Sequence, residues 1–318
     1  MNPYVEDSFL VIVNPNAGKR KGKKDWNIIS SLLKEADIRY KAVFTQSPGH
    51  AIDISVSHIE EGYKKLIVVG GDGTMNEVVN GIFSQKRYPT TEISLGMITV
   101  GTGNDWGRMF NIPGKYPEAI SLIKKNKSFI QDAGVVRYYH GQVQNSRYFV
   151  NIAGIGFDAM VVSKTNKMKE AGAGGSWSYL KSIIISLIKY HHTAIKISID
   201  NREIRNDVFN ISIGICKYNG GGMMQLPDAI PDDGLFDITL INKIKKHDVI
   251  FNLRRLYDGT ITKHPMVETY KGKFITIDSE PAIHLETDGE SLGNSPFTFE
   301  IIPRSIKVIV GGQGNAYF

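Results

Sequence analysis

The fold is decided by one stretch of the sequence, residues 64–81, which reads KKLIVVGGDGTMNEVVNG. Within it, Leu66–Val69 is a short apolar run rich in β-branched residues, and such a run suits a strand that is buried on both faces. Three glycines follow within the four positions Gly70–Gly73, so that Asp72 supplies the one side chain of a tight turn. The stretch therefore predicts a strand that ends in a glycine turn.

A helix is predicted to begin directly after this turn, because Thr74 and Glu77 have the spacing of a capping box. The backbone N–H groups at a helix start favour an anion, which makes phosphate the expected ligand. A purely structural turn is the alternative, but three glycines and an acidic residue favour phosphate contact. The stretch is not a dinucleotide fingerprint, since Asn76 stands where that motif has glycine, and it is not a P-loop, since no Gly-Lys-Ser/Thr follows.

The composition is that of a globular protein with a mildly basic charge. The chain has 318 residues, which suggests two domains or one large one, and its net charge of +6 favours acidic partners such as nucleotides, phospholipid surfaces or nucleic acid. A single cysteine, Cys216, excludes an intramolecular disulfide and a cysteine zinc cluster. The sequence shows no signal peptide and no run of the roughly 20 apolar residues that span a bilayer. We therefore expect a cytoplasmic protein whose membrane contact is peripheral.

The first part of the chain alternates strands with helices, and this pattern predicts a parallel, doubly wound α/β domain with sites at the strand C-termini. The predicted strands are Phe9–Val13, Arg39–Thr45, Leu66–Val69 and Ile93–Val100. The predicted helices end at about Ala36, run from Ser47 to Gly62, begin at Thr74, and span Pro113–Lys127.

From about residue 132 onward strands dominate, so we expect a mostly antiparallel β-sandwich or open barrel, with the boundary near residue 130. One helix, Ser176–His191, follows a glycine-rich segment; it suits the core, and the alternatives are the wall of an acyl-chain pocket or contact with the bilayer interface. The predicted strands are Val135–Tyr139, Tyr148–Ile152, Ala194–Ile199, Val208–Ile215, Phe236–Ile241, Phe274–Ile277, Ile283–Glu286, Phe297–Ile302 and Ile306–Val310.

Two further loops follow strands of the first half and contain turn glycines beside polar residues. Asn14–Gly18 follows the first strand, and Gly101–Asp105 follows the strand at Ile93–Val100. Since the C-terminal ends of neighbouring parallel strands share one crevice, these loops and the glycine turn can converge on one nucleotide.

Two acidic turns occur in the second half. The sequence Asp232-Asp233-Gly234 is typical of a plain turn, and this is the favoured interpretation. The alternative is a site for a hard cation, held by one carboxylate and backbone carbonyls. A two-residue turn explains Asp288-Gly289 but not the adjacent Glu290. Phosphoryl transfer to an alcohol needs a carboxylate that accepts the hydroxyl proton, and this turn can supply one.

Taken together, these motifs resemble a known family. GGDGT at residues 70–74, followed by NEVVNG at residues 76–81, looks like the nucleotide motif of the diacylglycerol kinase catalytic-domain family, which includes soluble bacterial diacylglycerol kinases, sphingosine kinases and ceramide kinases. GGDGT alone is shared with NAD kinases and phosphofructokinases, whereas the NEVVNG extension points to the lipid kinases. Further motifs stand in the family's order: Asn14-Pro15-x-Ala17-Gly18, Gly101-Thr102-Gly103-Asn104-Asp105, Pro231-Asp232-Asp233-Gly234 and Asp288-Gly289-Glu290.

The resemblance covers essentially the whole chain and implies the fold of NAD kinases and diacylglycerol kinases. Residues 1–130 would form the ATP-binding α/β domain, with residues 304–318 packing back on it, and residues 131–303 would form a β-rich lipid-substrate domain. ATP would lie in the cleft between the domains. The residues that the resemblance places against ATP are Asn14, Pro15, Asn16, Ala17, Gly18, Thr45, Gly71, Asp72, Gly73, Thr74, Met75, Asn76, Glu77, Thr102 and Asn104.

The resemblance also implies catalytic and metal-binding roles. Glu290 would accept the proton of the substrate hydroxyl, and Asp105 would lie beside the phosphates and help organise a catalytic Mg²⁺ or water. Asp72, in the glycine turn, is the third candidate catalytic residue. A structural Mg²⁺ would be held by the Asp233 side chain and by the carbonyls of Ile230 and Leu235.

The function implied is that of a lipid kinase. It would transfer the γ-phosphoryl group of Mg-ATP to the hydroxyl of diacylglycerol or a related lipid at the inner membrane surface, giving phosphatidic acid. The alternatives are an enzyme like NAD kinase with a soluble acceptor, and a non-catalytic nucleotide- or lipid-binding module. No nucleic acid partner is expected, and an exposed sheet edge could support a homodimer.

Overall fold

The computed structural model of the chain describes residue 5, residues 7–170 and residues 185–311. The described residues divide into two compact units, one built from the chain up to Ala133 and again from Pro303, the other from Gly134–Ile302. An α/β unit is thus followed by a β-rich unit, and the predicted fold class is confirmed. Within the described ranges, every helix is too short or too polar to span a membrane.

The strands are numbered in chain order. They are β1 (Phe9–Val13), β2 (Tyr40–Phe44), β3 (Lys65–Gly70), β4 (Ser94–Thr99), β5 (Ser128–His140), β6 (Val143–Phe149), β7 (Ile152–Gly156), β8 (Thr193–Ile199), β9 (Arg202–Gly214), β10 (Tyr218–Asn219), β11 (Met223–Met224), β12 (Phe236–Asn242), β13 (Val267–Gly272), β14 (Phe274–Ser279), β15 (His284–Thr287) and β16 (Glu290–Ile309).

The helices are numbered in the same way. They are α1 (Ala17–Lys24), α2 (Trp26–Glu35), α3 (His50–Glu61), α4 (Asp72–Ser84), α5 (Asp105–Met109), α6 (Tyr116–Lys125), α7 (Phe157–Glu170) and α8 (Lys246–Tyr257), with 3₁₀ turns at Thr90–Glu92 and Ile261–Lys263.

The first unit is built on a parallel sheet in the order β2-β1-β3-β4, completed by the C-terminal end of β16. Alternate residues of β1 and β3 pack against α2 and α6 in one apolar cluster, while Leu10 and Ile12 are equally buried on the opposite face. Burial on both faces explains why these strands read as continuous apolar runs. It also places their C-terminal ends side by side, because Val13 pairs with Val69 and Gly70 with Thr99.

The second unit is antiparallel. The pairings β7-β9, β9-β8, β8-β14, β14-β16, β16-β15 and β15-β7 form a closed circuit, and β12 and β13 extend it outward from β9. The long strands β9 and β16 change partners along their length, as strands do when they join two packed sheets. This arrangement agrees with the predicted sandwich or open barrel.

The predicted capping box is wrong. Helix α4 begins at Asp72, two residues before Thr74, and its N-cap is Gly71. The Glu77 carboxylate instead accepts hydrogen bonds from the backbone N–H groups of Gly49 (2.8 Å) and Ala51 (3.1 Å), at the start of α3. Glu77 therefore caps the neighbouring helix, which begins at His50 rather than at the predicted Ser47.

The second unit departs from prediction in its helices and in several of its strands. Helices α7 and α8 and strands β10, β11 and β13 were not predicted, and the two strands expected from residue 297 onward are one continuous strand, β16. The strand predicted at Tyr148–Ile152 is broken, because the N–H groups of Val150, Asn151 and Ile152 donate to the Asp288 carboxylate. Most of the predicted helix Ser176–His191 lies outside the described residues; residues 185–189 are helical.

Candidate functional site

Three loops of the first unit meet at the C-terminal ends of β1, β3 and β4. The side-chain amide of Asn14 donates to Thr74 Oγ1 (2.9 Å), which links the first loop to the glycine turn. Gly18 has a φ of +60°, and a Cβ atom there would lie 1.7 Å from the carbonyl oxygen of Val100. The loops at residues 14–18, 71–77 and 100–105 are thus brought together, as the parallel sheet predicts.

The approach of the second and third loops is so close that it requires glycine at position 101. A Cβ atom on Gly101 would lie 2.7 Å from the Cα atom of Gly71. Beside this contact Asn104 adopts a φ of +53° and donates to the Gly101 carbonyl (3.0 Å). The Asn104 side-chain oxygen is buried and has no hydrogen-bond partner among the described residues, so it can accept from a ligand.

Two carboxylates converge at Gly103. A Cβ atom on this glycine would lie 3.1 Å from Asp72 Oδ2 and 3.2 Å from Asp105 Oδ2, so both oxygens face the same small space. Asp72 also accepts from the backbone N–H groups of Asp105 and Trp106, at 3.2 and 3.1 Å, and thereby caps α5. Two hard oxygens beside a phosphate-binding turn are the donors that Mg²⁺ uses together with nucleotide phosphates, and the site fits that ion.

A left-handed turn presents positive charge near the same loops. Gly18, Lys19 and Arg20 have φ values of 60°, 58° and 68°, and they divide α1 into two parts. Non-glycine residues in this conformation cost roughly 1–3 kcal/mol each, and such strain is concentrated at binding sites. Both cations are exposed, and a turn of this kind points backbone N–H groups at an anion.

The remaining residues predicted to contact ATP differ in exposure. Asn16 and Thr102 are exposed, whereas Pro15, Ala17 and Gly73 are partly buried. A second group can reach a ligand mainly through backbone atoms because its members are buried or already engaged: Thr45, Thr74, Met75, Asn76 and Glu77.

In the second unit, Asp288 and Gly289 form the two-residue turn that precedes Glu290. Their φ values of 49° and 84° are those of a type I′ hairpin, and Thr287 pairs with Glu290 across it. Glu290 is the first residue of β16 and is partly exposed. Its position lets the carboxylate meet a ligand while the hairpin fixes its backbone.

Two buried carboxylates beside this turn were not predicted. Asp158, at the start of α7, accepts from the side-chain amides of Asn210 (2.8 Å) and Gln225 (2.7 Å). Glu286 accepts from the side-chain amide of Asn219 (3.0 Å). Burial, and then the nearby charge of Asp158, raises the pKa of Glu286 to about 8, and burial likewise raises the pKa of Asp158. Glu286 is therefore largely protonated at neutral pH.

These acids are tied to the candidate base through the turn. Glu286 Oε2 accepts from the backbone N–H of Gly289 (2.9 Å), and the side-chain amide of Asn166 on α7 donates to the Gly289 carbonyl (3.2 Å). Gly154 leaves room for the pair, since a Cβ atom there would lie 2.7 Å from Glu286 Oε1. A sequence signal existed, because Gly154, Gly156 and Asp158 repeat the strand–glycine–acid pattern of the first unit.

The predicted structural metal site lies at the turn before β12. Asp233 Oδ1 accepts from the backbone N–H of Leu235 (3.0 Å), and Asp233 Oδ2 pairs with the Lys271 ammonium (3.1 Å). One carboxylate and the carbonyls of Ile230 and Leu235 are suitable donors for Mg²⁺. The donor set fits the ion in kind, and Lys271 competes with it for the carboxylate.

Comparisons with known proteins agree with this arrangement. Residues 8–136 match the model of the diacylglycerol kinase catalytic domain, and residues 151–310 match that of the YegS C-terminal NAD kinase beta sandwich-like domain. Diacylglycerol kinases of Staphylococcus carnosus and Staphylococcus saprophyticus are each 30% identical over 298 residues, covering 94% of this chain and 93% of theirs.

Solved structures share the fold. A diacylglycerol kinase from Bacillus anthracis superposes with a TM-score of 0.71 at 23% identity, covering 96% of this chain and 97% of that one. A yeast NADH kinase complexed with NADH superposes with a TM-score of 0.51 at 13% identity, covering 96% and 84%. At these identities the likeness concerns the fold alone.

Proposed function

Because this chain belongs to the diacylglycerol kinase catalytic-domain family, we propose that it phosphorylates diacylglycerol at the expense of ATP and releases phosphatidic acid. Membership makes the chain a lipid kinase with ATP as its phosphate donor. The observation that carries the proposal is the convergence of three glycine loops and two carboxylates at one end of the parallel sheet.

The donor is held by the first unit. The N–H groups at the start of α4 and the left-handed turn at Gly18 bind phosphate oxygens, while Lys19 and Arg20 balance their charge. Phosphoryl transfer depends mainly on positioning and on electrostatic stabilisation, and a glycine-lined backbone provides both without moving.

Asp72 and Asp105 would hold the Mg²⁺ that accompanies the nucleotide, through the two oxygens that converge at Gly103. When bound, this ion neutralises charge on the β- and γ-phosphates. Asp72 is kept in place because it also caps α5, so the ligand position is fixed by the fold.

The proton of the acceptor hydroxyl passes to Glu290. As that oxygen forms its bond to the γ-phosphorus, the bond from the γ-phosphorus to the bridging oxygen breaks and ADP leaves. Glu286 and Asn166 hold the turn that carries Glu290, and Asp288 joins the same turn to β7.

A second Mg²⁺ at Asp233 would be structural. It would stabilise the turn between Ile230 and Leu235 and would displace Lys271 from the Asp233 carboxylate. Lys271 would keep its other partner, Asp237, at 3.0 Å. The enzyme itself would work in the cytoplasm, at the inner membrane surface where its lipid acceptor resides.

The proposal is tested with radiolabelled ATP and a panel of lipids in mixed micelles, together with NAD as a soluble acceptor. Diacylglycerol is expected to become labelled, and Glu290→Gln is expected to lower its rate by about 10²–10⁴-fold. Glu300→Gln, on the same strand but on the surface, is the control and keeps the wild-type rate. Labelling of NAD alone, or full activity of Glu290→Gln, would overturn the proposal.

A further inference from the structure

Helix α8 exposes four large apolar side chains to solvent. None of its 12 residues is fully buried, and Val249 packs against the cluster around Phe157 and Tyr190. Five of the ten large apolar side chains exposed in the described part of the chain lie on this helix or beside it: Ile188 (63%), Ile250 (53%), Phe251 (80%), Leu253 (38%) and Tyr257 (56%). We call these five residues the docking face.

The spacing of these residues is that of one helical face. Ile250, Leu253 and Tyr257 stand at positions i, i+3 and i+7, which places them in one stripe. Ile188 adjoins the stripe, because the Lys246 ammonium donates to its carbonyl oxygen. Single exposed apolar residues are ordinary, but a contiguous group marks a surface that something else covers.

The charge around the docking face indicates what covers it. Residues 243–257 contain five Lys or Arg residues and one Asp, which leaves a net charge of +4. Lys189, next to Ile188, is also exposed. A second copy of this chain fits poorly, because a two-fold interface would bring this positive surface against itself. An anionic surface with an apolar interior satisfies both the cations and the apolar stripe.

We propose that the docking face binds a bilayer surface that contains anionic phospholipid, with α8 lying in the plane of the interface. At 12 residues the helix is about 18 Å long, which is too short to cross a bilayer but sufficient to lie along one. Aromatic and aliphatic side chains on one side and Lys or Arg around them are the composition of interfacial helices. The inference deepens the proposed function, since it names the surface through which the kinase reaches a membrane-resident acceptor.

The direct test is co-sedimentation of the full chain with vesicles of phosphatidylcholine alone and of phosphatidylcholine mixed equally with phosphatidylglycerol. The wild type is expected to bind the mixed vesicles more tightly. The double variant Ile250→Ser with Phe251→Ser should lose roughly tenfold or more of that affinity, because its apolar contact is removed. In the double variant Lys245→Gln with Lys246→Gln, the affinity for mixed vesicles should fall about fivefold per lysine, while the affinity for neutral vesicles should change little.

Matched controls alter similar residues elsewhere. Val143→Ser removes an equally exposed apolar side chain (64%) from the β5–β6 hairpin, and Lys124→Gln with Lys125→Gln removes a cation pair from α6. Both controls should bind vesicles like the wild type. Equal losses in controls and α8 variants, or wild-type binding by the α8 variants, would overturn the proposal.

Two further measurements separate this proposal from its alternatives. Sedimentation velocity reports whether the Ile250 and Phe251 variant changes from dimer to monomer; if it does, the face is an interface between copies and the proposal is wrong. Activity on a short-chain, water-soluble diacylglycerol should be unchanged in the α8 variants, with an unchanged melting temperature. If the α8 variants lose this activity although their melting temperature is unchanged, the docking face belongs to the acceptor pocket instead. If the wild type itself phosphorylates no diacylglycerol, the proposed function fails, while vesicle binding still decides the docking face.

Discussion

Glu286 and Asp158 are buried carboxylates whose environment sets their protonation. Burial raises the pKa of Glu286 from 4.5 to about 8, and its hydrogen bond to Gly289 ties this group to the turn that carries Glu290. Between these two pH values the folded chain keeps a proton that the unfolded chain has released. The free energy of unfolding therefore falls as pH rises through this window.

We predict that Glu286→Gln weakens this pH dependence. The amide has the shape of the protonated acid and retains an acceptor for Gly289, so the variant should gain stability relative to the wild type at the alkaline end of the window. Urea denaturation at both ends of the window measures the effect. Glu61→Gln, which alters an exposed ion pair, is the control and should leave the slope unchanged. An identical slope for Glu286→Gln and the wild type would contradict the prediction.

Asp105 supports a prediction about activity. It is almost fully buried, and its Oδ2 atom, like that of Asp72, faces Gly103, lying 3.2 Å and 3.1 Å respectively from the position of a Cβ atom on that glycine. Asp105→Asn should lower kcat by about 10² or more because it removes a charge that organises the phosphates, while the melting temperature changes little. Steady-state kinetics over a range of Mg²⁺ concentrations measures the loss. Wild-type kcat in the folded variant would show that the carboxylate serves the fold and not the chemistry.

Local patterns in the sequence predicted part of the site and missed the rest, for a physical reason. The glycine turn could be predicted because Gly71, Asp72 and Gly73 are adjacent in the chain. The partnership of Asp158 with Glu286 could not, because it depends on how β7 and β15 pair, and pairing register is not written in either strand alone.

At the scale of elements, Glu77 shows that a residue with capping-box spacing can cap a neighbouring helix instead of its own. Thr74 and Glu77 have capping-box spacing, yet Thr74 accepts from Asn14 and Glu77 caps α3. The packing of α3 against α4 brings the α3 N–H groups within reach, and two charge-assisted bonds to them replace the predicted reciprocal pair.

Glu77→Ala should therefore destabilise α3 rather than α4. Two N–H groups lose their acceptor, and we expect a cost of roughly 1–3 kcal/mol in the free energy of unfolding. Hydrogen exchange should become faster at Gly49 and Ala51 while the first turn of α4 keeps its protection. Thr74→Ala is the comparison. If exchange at the start of α4 becomes faster in Thr74→Ala, and exchange at Gly49 stays unchanged in Glu77→Ala, then Thr74 and Glu77 do form a capping box on α4.

The accuracy of element prediction follows burial. Strands such as β1 and β3 are apolar runs rich in β-branched residues and are buried on both faces, so composition alone identifies them. Helix α8 was missed because Lys and Arg alternate with apolar residues that face solvent, and its pattern does not describe a buried face. The break between β6 and β7 was missed because Asp288, which causes it, lies far away in the sequence.

At the scale of the whole molecule, the proposed chemistry is divided between the two units. Residues that bind phosphate belong to the first unit, whereas Glu290 and its supporting acids belong to the second. Nucleotide binding should therefore act on one unit and leave the hydrogen bonds of the other in place. This division gives a test of the donor site that does not depend on turnover or on the identity of the lipid.

We predict that a non-hydrolysable ATP analogue with Mg²⁺ slows hydrogen exchange in the loops at residues 14–18, 71–77 and 100–105, and leaves exchange at residues 284–290 unchanged. At about 100 times its dissociation constant the analogue should stabilise the chain by about 2.7 kcal/mol, which raises the melting temperature.

Gly101→Ala should lose both responses, since its Cβ atom would lie 2.7 Å from the Gly71 Cα atom and force the loops apart. Gly114→Ala is the matched control, because this glycine also lies in a loop of the first unit, its φ is outside the left-handed region, and its Cβ atom would meet no neighbour within 4 Å. Protection that appears at residues 284–290 and not in the three loops would place the nucleotide in the second unit and refute the assignment of the donor site.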